Sequence, residues 1–577
     1  MSSTLTAPAA PTGAHAAPAP KSAGGALIAL VGGALLVVSA FLPWAYSFEA
    51  LDGMTLLFYP SPLQVMGAVL GAVVVVSLLL ARRTRSARAR ARVGWLGGAR
   101  VAGIGAFAFV LVIVLSIALE LGGLINVVYG GWVALVGGAL ALVGALSLPK
   151  DRPPTLYRAE TKSWLELLAI VVVMAAALFG IAYALDNDDP GTFLSFLVFV
   201  AAVVSVLFAL GVMGWLSAVS QRHKRVLILA AFLVAFLFPF TQDGSDANMS
   251  IATQVIIFAA TAMGLNIVVG LAGLLDLGYI AFLGAGAFVA AILSRSAFST
   301  VDFHPPFIVV VLISGLVSAT LGLIIGTPTL RVSGDYLAIV TLAFGEIFRI
   351  TMVNLDGEAG PDITHGSNGI PAIPELSLLG FNFGDPHEVL GIPLGRFSNY
   401  YFLLLVVIAL IILVFSRLNN SRIGRGWVAI REDEKAAEAM GVNVFGLKLF
   451  AFAGGAFLAG VAGSVKAHHD VSVTPDQYDF LQSAFLLAAI VLGGMGTVLG
   501  VLIGATLLIL LPEKLRFVND YRLMLFGLTL IVMMRFRPEG LIASRRRQLE
   551  FHEDDEGLAE RIDDQIQPTA AVKGSAT

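Results

Sequence analysis

The stretch GLNIVVGLAGLLDLGYIAFLGAGAF, residues 264–288, decides the fold of this sequence. It is apolar almost throughout, but three glycines interrupt it around its single acid, Asp276. Glycine permits unwinding and close backbone approach, so the pattern predicts a transmembrane helix broken near its middle. The amide N–H groups and carbonyls of such a break can face a zwitterionic solute. The candidate residues of a translocation path are therefore Asn266, Gly270, Gly273, Asp276 and Gly278. The alternative is that the glycines only let helices pack closely while Asp276 caps a helix at the interface.

The composition of the whole chain agrees with a membrane environment. Of its 577 residues, 57% are hydrophobic and only 13% are charged, about half of the roughly 25% that is usual in soluble proteins. Lipid tolerates an apolar exterior that water does not. The sequence therefore predicts an all-α, polytopic helical membrane protein.

Sixteen apolar runs approach the roughly 20 residues that a helix needs to cross a bilayer. In the first part of the chain they lie at about 26–45, 62–81, 99–119, 123–148, 164–185 and 191–219. They continue at about 226–240, 251–271, 276–295, 306–326, 335–353, 399–416, 447–465, 481–495, 497–512 and 521–536.

The loop charges predict the orientation, because Lys and Arg accumulate on the cytoplasmic side. Segment 82–92 holds six arginines and no acid, and alternate loops are acidic, as at Asp186 to Asp189. Continuing the alternation places loop 417–447 and both termini in the cytoplasm. A juxtamembrane arginine run favours topology setting and contact with anionic lipid over nucleic-acid binding.

Several classes of site are excluded by composition. The chain has no cysteine, so disulfides, thiolate metal sites and cysteine nucleophiles are ruled out. Its histidines form no HExxH pair, and we expect no metal site. There is no Gly-Lys dipeptide and hence no P-loop, so ATP and Mg²⁺ would have to be bound by another subunit.

The chain divides into four predicted parts. Residues 1–24, which are rich in Ala, Pro, Ser and Thr, are predicted to be a disordered cytoplasmic tail, with a signal peptide as the alternative. Residues 544–577 are predicted to be a second cytoplasmic tail. Residues 25–225 predict an accessory bundle of about six helices with almost no buried polar groups. Residues 226–543 carry polar and charged residues in or beside the spans, which in a membrane is by default a hypothesis of function.

Two further features lie in this last part. In PTLRVSGDYLAIVTLAFGEIFRI, residues 328–350, Arg331 and Asp335 mark a helix entry, while Glu346 and Arg349 lie one turn apart. We expect Glu346 and Arg349 to neutralise each other rather than to contact solute.

The second feature is the polar loop 417–447, which contains GRGWVAIREDEKAAEAMGVNVFGLKL. Arg431 to Met440 has helical propensity, its acids suit the start of a helix, and Gly441 is a natural stop. A short amphipathic helix with a docking role is predicted, with a solvated connector as the alternative. Its candidate coupling residues are Arg431, Glu432, Asp433, Glu434, Glu438 and Gly441.

At this point the sequence resembles a known family. Lys435-Ala-Ala-Glu-Ala-Met-Gly441 is similar to the cytoplasmic EAA loop of ABC importer permeases, with Lys435 in place of the first Glu and without the downstream Ile-x-Leu-Pro. Residues 264–288, 328–347, SNGI at 367–370 and AFLLAAIVLGGMGTVLGVLIGA at 484–505 resemble the LivM-type permeases for branched-chain amino acids. The resemblance covers about 226–543.

The resemblance implies a transport subunit in a bacterial cytoplasmic membrane rather than an enzyme. Its implied partners are a second, LivH-like permease, two cytosolic ATPases and an extracytoplasmic solute-binding protein, without nucleic acid. Gly496, Gly500 and Gly504 would form a stripe for close helix contact, inside the subunit or with the second permease. The acidic loop 354–398 would dock the binding protein or act as a spacer. Urea or short amides are the alternative solutes, and a secondary transporter and a membrane-embedded enzyme are rival classes.

Overall fold

The computed structural model describes residues 23–46, 61–83, 93–148, 156, 161–187, 189–330, 335–358, 360–378, 380–389, 391–514, 521, 524, 527–528, 531, 535 and 540–542. Predictions for most of the two tails, for the arginine run after Arg83 and for Arg331 lie outside these residues. The chain forms two units, Met1–Thr241 and Gln242–Thr577, which are taken in turn.

The first unit is built from eight described helices. These are α1 (Ala23–Ser39), α2 (Pro62–Arg83), α3 (Trp95–Glu120), α4 (Tyr129–Leu146), α5 (Ser163–Asp186), α6 (Pro190–Leu210), α7 (Val212–Arg222) and α8 (Lys224–Leu237). Short 3-10 turns cover Leu124–Asn126 and Phe238–Thr241.

Small residues set the packing of this unit. A Cβ added at Gly144 of α4 would lie 2.3 Å from the backbone nitrogen of Ala29 in α1, so the two helices meet backbone to backbone. Trp44 is fully buried after α1 and donates Nε1–H to the carbonyl of Ser39 at 2.7 Å. Close approach maximises dispersion between helices in a solvent as apolar as they are.

One buried acid contradicts the expectation that this bundle has almost no buried polar groups. Glu166 in the first turn of α5 is buried. Its carboxylate accepts from Thr161 Oγ1 at 2.6 Å and from Arg222 Nη1 at 2.7 Å, and lies 2.9 Å from His223 Nε2. Hydropathy averaged over a run does not detect a single acid whose partners come from the α7–α8 junction.

The second unit contains ten described α-helices and one π-helical segment. The helices are α9 (Asp246–Leu265), α10 (Ile280–Ile292), α11 (Phe307–Thr329), α12 (Asp335–Asn354), α13 (Arg396–Asn419), α14 (Arg422–Glu432), α15 (Glu434–Ala439), α16 (Val444–Asp470), α17 (Phe480–Gly493) and α18 (Val498–Lys514), with the π-helix at Asn266–Leu271 after α9. Helix α16 packs against α9, α10 and α11. A Cβ at Gly286 of α10 would lie 2.3 Å from the carbonyl oxygen of Gly460 in α16, so this core also rests on backbone contact.

The loop between α12 and α13 carries two small antiparallel hairpins that were not predicted. Strands β1 (Ser377–Leu378) and β2 (Phe381–Asn382) pair, as do β3 (His387–Val389) and β4 (Ile392–Leu394). A separate bridge joins Ile370 to Val473.

The predicted helical membrane class is confirmed. Eleven helices of the described chain are long and apolar enough to cross a membrane. The count of sixteen segments stays a prediction, because α10 and α17 are shorter than a full span and most of 521–536 is not described. The boundary between units differs from the expected 225/226, since α8 packs on α5 and belongs with the first unit.

Candidate functional site

The helix interruption lies between Leu271 and Ile280. Helix α9 passes into the π-helix, and Gly273 then takes a left-handed conformation with φ of +73°. Residues 272–279 leave the helical ladder before α10 begins. π-Helical turns occur frequently at functional sites. The glycine pattern thus lies at a true break in the helix, while the role of the break in translocation stays a prediction.

Asn266 connects the break to the turn between α17 and α18. Its buried side chain accepts from Gly496 N–H at 2.8 Å and donates to the carbonyl of Thr497 at 3.4 Å. Gly496 has φ of +76° and precedes α18. It therefore holds a turn, and the prediction that it belongs to a helical stripe is wrong.

The same turn is joined by residues much later in the chain. The N–H groups of Leu541 and Ile542 donate to the carbonyls of Leu492 and Gly493, each at 2.9 Å. A Cβ at Gly494 would lie 2.0 Å from the carbonyl oxygen of Ile542. The turn is thus closed on one side by Asn266 and on the other by this segment.

Gly500 and Gly504 pack inside the subunit. A Cβ at Gly504 would lie 1.9 Å from the carbonyl oxygen of Ala489, and one at Gly500 would lie 2.7 Å from that of Gly493. Both contacts are with α17. The sequence left open whether these glycines contact a helix of this subunit or of the second permease, and in the structure they contact a helix of this subunit.

Asp276 is the most unusual polar group in the break. It is only 1% exposed. Its Oδ1 accepts from Gly278 N–H at 2.9 Å, while Oδ2 is buried without a hydrogen bond in the described structure. The first contact closes a turn just ahead of α10, whose N-cap is Tyr279 and has no side-chain cap hydrogen bond. Burial of the second oxygen costs free energy unless another group meets it. Asp276 therefore stabilises a turn rather than capping α10, and its contact with solute stays a prediction.

Gly278 lets the chain approach α12 closely just before α10 begins. A Cβ there would lie 1.8 Å from the carbonyl oxygen of Thr341, so no side chain fits. The hydroxyl of Thr341 accepts from Leu277 N–H at 3.1 Å. The neighbouring Tyr279 is buried and donates its hydroxyl to the carbonyl of Gly455 in α16 at 2.6 Å.

The polar loop reaches the break through Arg431. This last-turn residue of α14 donates Nη1–H to the carbonyl of Gly270 at 2.9 Å. Gly273 makes room for it, since a Cβ there would lie 2.5 Å from Arg431 Cγ. Nη2 donates to Glu432 Oε1 at 2.7 Å. A cavity of about 340 Å³ lies at this contact and is lined by Val269, Gly270, Gly273, Leu275, Arg431, Glu432 and Met495.

The loop itself forms two short helices rather than the single helix predicted over 431–440. Asp433 has extended backbone angles and separates α14 from α15, and its Oδ1 accepts from Ala436 N–H at 2.9 Å. An aspartate of this kind favours a new helix start over the continuation of the previous helix. Gly441 follows α15 with φ of +82°, the left-handed conformation that ends many helices.

Two anchors of this loop were missed from the sequence. Trp427 is fully buried and donates Nε1–H to the carbonyl of Leu447 at 2.7 Å. Lys448, buried in α16, lies 2.6 Å from Glu434 Oε2. A tryptophan in an otherwise polar loop and a lysine in an apolar helix were the available signals.

Helix α15 turns most of its surface outward. Within it only Ala437 is buried, while Lys435 and Glu438 are exposed. Met440, which follows it, is 84% exposed. An exposed methionine among charged side chains is typical of surfaces that bind another protein.

Glu346 and Arg349 form the ion pair proposed for them. Arg349 Nε lies 3.0 Å from Glu346 Oε2. Arg349 Nη1 also donates to Asp476 Oδ1 at 3.1 Å, a partner that sequence spacing does not reveal. The pair ties α12 to the 3-10 turn Pro475–Tyr478 and is structural.

No group of three or more His, Asp or Glu side chains is placed to hold a metal ion in the part of the chain that the structure describes. Where the break meets the polar loop, the site consists of backbone groups, the buried carboxylate of Asp276 and the ion pair of Arg431 with Glu432. Such groups can contact a charged solute or transmit motion.

Comparisons with known proteins agree with this arrangement. The family model described as "Branched-chain amino acid transport system / permease component" matches residues 248–534. The high-affinity branched-chain amino acid transport permease LivM of Salmonella typhimurium is 38% identical over 346 residues, 58% of this chain and 78% of the relative. LivM of Escherichia coli is 39% identical with the same coverage. The ribose import permease RbsC of Haemophilus influenzae is 27% identical over 52% of this chain and 86% of its own length. No solved structure gives a significant match.

Proposed function

This chain belongs to the branched-chain amino acid transport system permease family, and from that premise we propose that it is the membrane-spanning subunit of an ATP-driven importer for leucine, isoleucine and valine. It is a multi-pass transport subunit and not an enzyme. The match to two LivM proteins over 78% of their length supports the solute class. In this proposal the chain lies in a bacterial cytoplasmic membrane with both termini inside.

The contact between Arg431 and Gly270 carries the mechanical part of the proposal. In this proposal the chain has no nucleotide site of its own, as the lack of a P-loop in its sequence predicts, and it must receive the work of ATP hydrolysis through a surface. Glu438 in α15 and Met440 just after it would offer that surface to an ATPase. Arg431 lies in the last turn of α14, which ends immediately before α15. A tilt of this loop pulls on the carbonyl of the π-helix at 2.9 Å. The break would then open or close as the ATPases move.

The proposed assembly contains a second, LivH-like permease, two ATPases that bind ATP and Mg²⁺, and a solute-binding protein. The loop between α12 and α13 would meet the binding protein, since it carries exposed acids such as Asp385 between its two hairpins and Glu388 in β3. Residues of the first unit would serve as an accessory bundle.

Urea, short amides and sugars are the competing solutes. The resemblance to a ribose permease over most of that relative's length shows that this architecture is not confined to amino acid permeases. Proteoliposomes with all partner subunits and the binding protein would be loaded with ATP and supplied with labelled leucine. We expect ATP-dependent uptake that isoleucine and valine inhibit and that urea and ribose do not. Uptake without ATP would instead indicate a secondary transporter, and inhibition by urea or ribose alone would overturn the solute class.

A further inference from the structure

A second cavity, of about 370 Å³, lies at the opposite end of α16 from the polar loop. Its walls come from the end of α10, the start of α11, segment 374–377 and His468 near the end of α16. We propose that this aliphatic pocket is a subsite that binds the transported amino acid as a zwitterion on the extracytoplasmic side. The inference rests on the proposed function and adds a location and a recognition chemistry to it.

The size and lining of the aliphatic pocket suit a small branched side chain. Its volume is near the lower end of the range of about 300–1,000 Å³ that small-molecule sites occupy. The apolar part of its wall includes Leu293, Phe307, Val310 and Leu376. Burial of a branched aliphatic group against such a surface is favourable by the area removed from water.

His468 supplies a hydrogen-bond acceptor at the wall. It is 7% exposed, and its Nδ1 lies 3.0 Å from the carbonyl oxygen of Pro374. A carbonyl only accepts, so Nδ1 carries a proton, and Nε2 keeps a lone pair whenever the ring is neutral. No described residue bonds to that nitrogen. A ligand ammonium can therefore donate to it.

Glu375 provides the negative charge for the same ammonium. Its Oε2 accepts from Tyr400 at 2.9 Å, and its Oε1 lies 2.6 Å from Arg396 Nε. A carboxylate has about four acceptor positions, so both oxygens keep one free. Arg396 also donates Nη2–H to the carbonyl of His468 at 3.0 Å. One guanidinium thus holds the two ammonium acceptors in a fixed relation, a preorganisation that binding sites require.

The start of α11 favours a carboxylate. Helix α11 begins at Phe307 after Pro306; Val309 and Val310 donate their N–H groups to the carbonyl of Pro306, whereas the N–H groups of Phe307 and Ile308 have no acceptor within the helix. The positive end of the helix dipole lies at this terminus. Arg295 and His304 also line the pocket. Positive and negative groups are therefore distributed over the wall as a zwitterion with an apolar side chain requires.

Three ligands distinguish recognition of the ammonium from recognition of the carboxylate. L-Leucine has both charges, leucinamide lacks the carboxylate, and 4-methylpentanoate lacks the ammonium. Binding of each to the assembled importer in nanodiscs, without the binding protein, would be measured by saturation-transfer difference NMR. Glu375→Gln should weaken leucine and leucinamide about tenfold and leave 4-methylpentanoate unchanged, because a charge-assisted hydrogen bond is lost. Arg295→Gln should weaken leucine and 4-methylpentanoate but not leucinamide.

A steric pair of variants tests the location. Val310→Trp fills the pocket from α11 and should abolish binding of all three ligands. Leu312→Trp changes an exposed residue of the same helix and should leave binding intact. Leucine binding that survives Val310→Trp, or no saturable binding in a wild-type importer with normal uptake, would overturn the subsite and leave the proposed function standing. Absence of ATP-dependent uptake of branched-chain amino acids with all partners present would overturn the proposed function itself.

Discussion

Arg431→Gln should separate ATP hydrolysis from transport. The substitution removes the guanidinium that donates to the carbonyl of Gly270 at 2.9 Å and leaves an uncharged polar side chain that is too short to reach it. If α14 transmits the motion of the ATPases to the break, hydrolysis should continue and uptake should fall.

The expected size follows from the contact. A hydrogen bond to a charged group contributes about 1.5–3 kcal/mol, which corresponds to about tenfold to hundredfold in an equilibrium. The side chain of Arg431 is 22% exposed, so water screens part of the interaction. We therefore expect uptake per ATP hydrolysed to fall about tenfold, at the lower end of that range.

Gly273→Ala perturbs the same contact without removing the charge. A residue other than glycine in the left-handed conformation costs about 1–2 kcal/mol, and the added Cβ would lie 2.5 Å from Arg431 Cγ. Arg431 must then shift away from the break. The two variants should give the same phenotype for different reasons.

The assay is the ratio of uptake to ATP hydrolysis, both measured on one preparation of proteoliposomes. Arg425→Gln is the matched control, since Arg425 is an exposed arginine of α14 whose side chain, among the described residues, hydrogen-bonds only to the carbonyl of Asn420, at 3.4 Å. An unchanged ratio in both Arg431→Gln and Gly273→Ala, with Arg425→Gln also normal, would refute transmission through this contact.

The remaining predictions concern the break, the coupling surface and the topology. Asp276→Asn should reduce uptake while leaving assembly and ATP binding intact, and normal uptake kinetics would limit Asp276 to stabilising the turn before α10. Glu438→Lys should leave the subunit inserted but abolish uptake by disturbing the exposed face of α15. Co-purification of the ATPases and their hydrolysis rate would be measured, and wild-type transport would exclude this face as the coupling surface. Gly441→Val should have the same effect, because a β-branched residue resists the φ of +82° at this position. The space around an added Cβ is open, so Gly441→Ala should lower the free energy of unfolding only by the roughly 1–2 kcal/mol that the left-handed conformation costs, as thermal unfolding would show. Cysteines at Ser86 and Asn187 should be labelled from opposite sides of the membrane, and labelling of both from outside would reverse the topology.

The break could be predicted from sequence because its signal is local. Three glycines and one acid within an apolar run have few explanations in a membrane helix. The partners of the break could not be predicted in the same way. Arg431 and Asn266 act over separations of 161 and about 230 residues, and only the folded chain brings those positions together.

The predictions that failed at Gly496 and Asp433 did so for the same physical reason. The four-residue spacing from Gly496 to Gly504 fits a helix face, but a positive φ at Gly496 is a property of the turn and is invisible in spacing. In the same way, Asp433 is compatible with a helix interior and with an N-cap, and the structure adopts the second. Local patterns allow both states, and tertiary contacts choose between them.

The late joining of Leu541 and Ile542 to the turn after α17 has a consequence for biogenesis. The carbonyls of Leu492 and Gly493 find their donors only in residues made some fifty positions later, and Asn266 braces the same turn from far upstream. Until the ribosome has delivered that segment, the turn leaves two carbonyls without these partners. A nascent chain stopped before residue 540 would therefore hold an incomplete junction beside the break, and the turn after α17 reaches its final hydrogen bonding only when the chain is nearly complete.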